Sequence, residues 1–256
     1  MPSLLHAVVA ATALSLLSPS VRAEPAALPA SGGAPVEGRR SDPQQRLHDW
    51  PQLQYYRAEN AALPAPATGQ PRVVLFGDSI TEGWGRTGSD TFFPGKGYIN
   101  RGISGQTTAQ MLLRFRQDVI ALQPAVVVIL AGTNDIAGNT GPATQAMIED
   151  NLQSMLELAQ AHRITVVLAS VLPVSDYPWM PGIAPAPKVR ALNAALQRHA
   201  ATHHAIYLDY YTALANRDGG LDKALAEDGV HPTAAGYTRM APLAEAAIGK
   251  ALAQRR

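Results

Sequence analysis

Five consecutive aliphatic residues, Val126-Val127-Val128-Ile129-Leu130, carry no polar alternation at all. A strand with one wet face alternates apolar and polar side chains, so an unbroken run of this length belongs inside a sheet covered on both faces, which is the situation of a parallel sheet. Four further short runs at 72–76, 98–100, 165–169 and 206–208 read as strands beside 125–130. The stretches between and after them, 108–120, 143–162, 187–201 and 234–253, carry apolar residues at helical spacing. Strands alternating with helices are the pattern of βαβ units. The expected fold is a flavodoxin-like three-layer α/β/α sandwich with a five-stranded parallel sheet in the order 2-1-3-4-5. In that order the first and third strands flank a topological switch, and loops at the carboxyl ends of the strands converge there.

The chain of 256 residues suffices for one such domain, expected over 44–256. Before it, 4–17 is almost wholly apolar and Val21-Arg22-Ala23 places small residues where a signal peptidase cuts, so 1–23 reads as a signal peptide and the protein as periplasmic or secreted. That run is too short for a membrane span, which takes about 20 apolar residues. Residues 24–43, rich in Ala, Pro, Gly and Ser, read as a flexible leader. Leu47, Trp50, Leu53 and Tyr56 then suggest a packed helix over 44–59. Twenty-one basic residues balance twenty acidic ones, which gives no reason to expect nucleic acid as a partner. The absence of cysteine excludes disulfides, thiolate metal sites and a cysteine nucleophile. Chemistry must therefore come from serine, histidine and carboxylates.

The unusual residues follow the strands. The first strand runs into Gly77-Asp78-Ser79, where a glycine lets the chain turn and the serine presents its hydroxyl at the sheet edge. Alone, the tripeptide reads more readily as a plain turn with an Asp or Ser cap. The second strand leads into Asn100-Arg101-Gly102-Ile103-Ser104-Gly105-Gln106-Thr107-Thr108, where Thr107 or Thr108 can cap the next helix. After the third, Gly132-Thr133-Asn134-Asp135 offers an asparagine amide, either a turn former or a donor to a developing oxyanion. Asp228-Gly229-Val230-His231-Pro232 precedes the last helix, and its carboxylate can orient the imidazole three residues on.

Together these four blocks, in order and spacing, resemble the SGNH or GDSL serine hydrolases over 73–248. Gly83-Trp84 and the Asn-x-Gly-Ile-Ser-Gly-x-Thr-Thr stretch look most like the branch of platelet-activating-factor acetylhydrolase-like and carbohydrate-acetyl esterases. The resemblance implies Ser79 as nucleophile, His231 as base and Asp228 as its partner. It further implies an oxyanion hole from the backbone amides of Ser79 and Gly105 and the side chain of Asn134, with no cofactor and no metal. The implied activity is hydrolysis of short acyl esters, acetyl above all, on a small molecule or an acetylated glycan.

The connection 173–187 should share the rim of this site. It carries Asp176, Tyr177, Trp179 and Met180, which with Trp84 form either a wall for substrate or a merely packed surface. His203-His204 lacks metal-ligand spacing and reads as a helix end, and Arg255-Arg256 as solvent-directed. Rival readings are a lysophospholipase or thioesterase using the same residues on longer chains, and a non-catalytic glycan-binding envelope protein on an esterase fold.

Overall fold

The apolar runs form the centre of the molecule. The computed structural model describes residues 47–85 and 92–255, which fall within one compact unit, 41–256. The expected signal peptide and leader lie outside the described residues, as does Arg256. Strands β1 (Val73–Gly77), β2 (Ile99–Gly102), β3 (Val126–Leu130), β4 (Thr165–Ala169) and β5 (Ile206–Leu208) pair in parallel in the order β2-β1-β3-β4-β5. The helices are α1 (Arg57–Ala62), α2 (Ser79–Glu82), α3 (Thr108–Asp118), α4 (Thr133–Ile136), α5 (Gln145–Ala161), α6 (Pro185–Thr202), α7 (Tyr210–Leu214) and α8 (Ala234–Ala253).

The two-residue period of a strand divides the sheet's side chains between two cores. Val74, Phe76, Val127, Ile129 and Leu168 pack with Met111 and Phe115 of α3, Leu152 and Met155 of α5, and Leu192 and Leu196 of α6. On the other face Leu75, Val128, Leu130 and Val167 pack with Ile80 of α2, Tyr210 of α7, and Met240 and Ile248 of α8. Both faces of β3 are thus buried, which is why its sequence shows no alternation.

Local chemistry ends the helices. Thr107 and Gln110 form a reciprocal capping box at α3. Thr144 accepts from Met147 N at the head of α5, and Thr233 from Gly236 N at the head of α8.

The helix expected over 44–59 is interrupted: residues 47 and 48 are helical, a turn-rich stretch covers 49–56, and α1 begins at Arg57. Pro51 disfavours helical backbone at Trp50, Gln52 sits at φ +58°, and the Asp49 carboxylate binds the backbone N–H groups of Leu53 and Gln54 at 2.8 and 2.9 Å, organising turns. Leu47 and Trp50 are exposed, while Tyr56 is buried. Arg255 is exposed, and its guanidinium also donates to the carbonyls of Ala125 (3.1 Å) and Arg163 at the amino-terminal end of the sheet.

At the opposite end, Gly77 stands in register with both Gly102 and Leu130. The segments that follow β1, β2 and β3 therefore leave the sheet at one level.

Candidate active site

Asp78 turns the chain off β1: as N-cap of α2 its carboxylate accepts from Ile80 N at 2.9 Å, leaving Ser79 as the first helical residue. A first-turn N–H has no acceptor within its own helix, so the amide of Ser79, beside its hydroxyl, has no partner in α2. This turn packs tightly on β2, since a β-carbon at Gly102 would stand 2.1 Å from Glu82 N.

The Ser79 hydroxyl lies 2.9 Å from Nε2 of His231, across 152 residues of sequence. The imidazole is held by a local turn in which Asp228 Oδ1 accepts from the backbone N–H groups of Val230 (2.9 Å) and His231 (2.8 Å). Asp228 Oδ2 stands 2.6 Å from His231 Nδ1. With Nδ1–H donated to Asp228, the neutral ring turns the Nε2 lone pair to the serine. Partial burial of Asp228 opposes its charge, but hydrogen bonds from the His231 ring and from the His231 and Val230 backbone outweigh it and hold the carboxyl below its ordinary range. A hydroxyl, an imidazole and a carboxylate in line can move a proton from oxygen to nitrogen and stabilise the cation formed.

The loop after β2 is anchored from beneath. Glu82 accepts from Ser104 N at 2.8 Å and from the Ser104 hydroxyl. Wholly buried Arg114 donates to the carbonyls of Gly77 (2.8 Å) and Arg101 (2.9 Å), to Gln106 Oε1 and to Asp118 (3.1 Å). One guanidinium thus ties the tips of β1 and β2. Gly105 adopts φ +78°, and a β-carbon there would meet only Asn139 Nδ2, at an ordinary contact distance of 3.9 Å. Glycine is favoured there by backbone conformation rather than by crowding within the protein.

Asn134, buried on α4, donates from Nδ2 to Gln106 O at 3.0 Å and to Asp78 Oδ2 at 3.3 Å. Its neighbour Asp135 accepts from Thr108 N and, at 2.6 Å, from Thr108 Oγ1, joining the β3 loop to α3. Burial pushes the Asp78 carboxyl up to about 6 against the counteracting Ile80 amide and His231, and burial likewise raises Asp135.

Of the expected rim residues, only Trp179 stands beside this cluster. Its partly exposed indole lies 5.9 Å, centroid to centroid, from the His231 ring. Trp84 is a correction: at 3% exposure it packs against Phe93 and Tyr237. Tyr177 is another, with 0% exposure and its hydroxyl 3.0 Å from both Oγ1 and the carbonyl of Thr133. In both, the ring's apolar area is worth more inside than at the rim. Asp176 is exposed but shapes its own loop, accepting from the Tyr177 and Gly182 amides. Asn139, which lies outside the four motif blocks, binds both Trp179 and Asn134. No periodicity flags it. Arg114 with Asp118 four residues on was visible, but that spacing reads equally as an exposed helical ion pair.

A family model described as the GDSL-like Lipase/Acylhydrolase family matches residues 75–239. The crystal structure of a GDSL-like lipase from Bacteroides thetaiotaomicron is 47% identical, covers 79% of this chain and 100% of its own, and superposes with a TM-score of 0.76. An acetylxylan esterase from Geobacillus stearothermophilus, 20% identical, shares the fold over 73% of this chain and 97% of its own, with a TM-score of 0.57. The human isoamyl acetate-hydrolyzing esterase 1 homolog is 32% identical over 126 residues, 43% of this chain and 51% of that protein. The chain spans about half the length of the curated relatives it matches.

Proposed function

We propose, since the chain belongs to the GDSL-like lipase/acylhydrolase family, that it is a serine esterase in which Ser79 is the nucleophile, His231 the general base and Asp228 the partner of that base. The observation that carries this reading is the continuous contact from Ser79 Oγ to His231 Nε2 (2.9 Å) and from His231 Nδ1 to Asp228 (2.6 Å). The Ser79 oxygen attacks the ester carbonyl while its proton passes to Nε2. The carbonyl oxygen gathers negative charge opposite the amides of Ser79 and Gly105 and Nδ2 of Asn134, whose 3.3 Å contact to Asp78 is the weaker of its two and yields to the oxyanion. Collapse of the tetrahedral intermediate releases the alcohol, which takes the proton from His231. Water, deprotonated by the same imidazole, then frees the acid and restores Ser79.

The substrate class is a short-chain ester, acetyl above all. Support comes from the acetate ester named in the human homolog and from the exposed indole of Trp179 at the site edge. Each added acyl methylene is worth about 0.8 kcal/mol only where apolar surface receives it. A glycan carrier of the acetyl group is the second reading, favoured by the partly exposed indole beside His231, on the side where the alcohol leaves. Export, with cleavage after Ala23, completes the proposal and rests on the apolar run at 4–17.

Fluorophosphonate labelling with peptide mapping, then kcat/KM on p-nitrophenyl acetate, butyrate, octanoate and palmitate beside acetate release from acetylated xylan, tests the reading. An adduct on Ser79 and falling efficiency from acetate onward are expected. No adduct would overturn the esterase, and a rise toward octanoate would overturn the short-acyl preference. Intact mass of the exported protein should place Glu24 at the N-terminus, and a retained Met1 would overturn cleavage.

A further inference from the structure

Three loops carry Gly105 and Asn134, two of the candidate oxyanion donors, and Trp179 of the aromatic rim, and one side chain bonds to all three residues. Asn139, three residues beyond α4, donates from Nδ2 to Asn134 Oδ1 at 2.7 Å and to the Gly105 carbonyl at 3.3 Å, while its Oδ1 accepts from the Trp179 indole N–H at 3.1 Å. Gly105 belongs to the loop after β2, Asn134 and Asn139 to the segment after β3, and Trp179 to the connection after β4.

We propose that Asn139 is a positioning residue of the esterase site. It fixes the orientation of the Asn134 amide and couples it to the Gly105 loop and to Trp179. The inference rests on the esterase reading above and adds a residue to it.

The chemistry of a primary amide carries the argument. Its oxygen accepts and its nitrogen donates, and rotation by half a turn about the last side-chain bond exchanges the two. At Asn134 the wrong rotamer would point a carbonyl oxygen at Gln106 O and at the developing oxyanion, which repels both. The Gln106 carbonyl at 3.0 Å and the weaker Asp78 contact at 3.3 Å select the productive rotamer through Nδ2. Asn139 adds the bond to Oδ1, at 2.7 Å, because the flipped amide would set NH2 against NH2. The Trp179 indole in turn fixes Asn139: an N–H only donates, so Oδ1 of Asn139 must face it and Nδ2 must face Asn134. The order of preference therefore runs from the rim inward, from indole to Asn139 to the donor at the reacting carbonyl. Asn139 is itself exposed, so it performs this without membership of the core.

The test is a set of variants assayed on p-nitrophenyl acetate, with melting temperature and fluorophosphonate labelling in parallel. Asn139→Ala should lower kcat about five- to tenfold, the size of one lost hydrogen bond in a site of this kind, with KM and melting temperature little changed. Asn139→Asp retains the acceptor for Trp179 but sets a carboxylate oxygen against Asn134 Oδ1, so its kcat should be no higher than that of Asn139→Ala. The decisive readout is the cycle with Asn134→Ala, itself expected to lower kcat about 10²–10³-fold. In that background Asn139→Ala should change kcat by about twofold or less, because the group it orients is gone. An active, labelled wild type in which the two substitutions multiply, or in which Asn139→Asp keeps full kcat, overturns the positioning role alone. A wild type that neither hydrolyses esters nor takes label overturns the esterase reading with it.

Discussion

A serine hydroxyl is a weak nucleophile until a neighbouring base takes its proton, and a histidine is an effective base only with the correct nitrogen free. Asp228 meets the second condition by accepting from Nδ1 while its other oxygen binds two backbone N–H groups of the same turn. Serine and imidazole acting as one unit lose function together, so Ser79→Ala, His231→Ala and the double variant should show nearly equal residual ester hydrolysis rather than multiplied losses. Initial rates at enzyme concentrations high enough to measure the residue check this. Product of the two single losses in the double variant would show that they act separately. The depressed carboxyl of Asp228 fixes the sign of the acid response: its pairing is complete above the usual carboxylate range and is lost as pH falls through the lowered value.

Secondary elements place these residues by contact at backbone distance. Turn α2 lies so close on β2 that a methyl group at Gly102 would meet Glu82 N at 2.1 Å and the Asp78 carbonyl at 2.7 Å, neither of which is a movable side chain. Gly102→Ala should therefore cost about 3 kcal/mol in urea unfolding, with loss of fluorophosphonate labelling in the molecules that still fold. Near-native stability would contradict the packing. The strands were legible because burial on both faces writes itself as unbroken aliphatic runs, and the motif residues because they follow those runs. Turns α2 and α4, at four residues each, are too short to show a helical period, though they hold Ser79 and Asn134. Pro51 and Asp49 interrupt the helix expected over 44–59 by local turn chemistry that a spacing of apolar residues does not register. Trp84, Tyr177 and Trp179 look alike in sequence; only the positions of Phe93, Tyr237 and Thr133 decide which rings are enclosed.

At the scale of the whole molecule, placing a site at a sheet edge buries charge beneath it. Asp78 is enclosed and its carboxyl is raised to about 6. Below the ordinary carboxylate pKa the group is neutral folded and unfolded alike. As pH climbs from about 4 to 6 the unfolded chain ionises first, so stability falls through that window and stays lower above it. Asp78→Asn removes this term, and its melting temperature minus that of the wild type should be more positive at pH 8 than at pH 4.5 in scanning calorimetry. An equal or reversed difference would show that Asp78 remains ionised at low cost. The last helix imposes a different kind of order. Its twenty residues span about 30 Å at 1.5 Å each, with His231 just before one end and Arg255, clasping carbonyls ahead of β3 and β4, just past the other. The helix serves as a strut that carries the height of the sheet's floor up to the imidazole, so the depth at which that ring meets the serine is gauged from the far side of the protein.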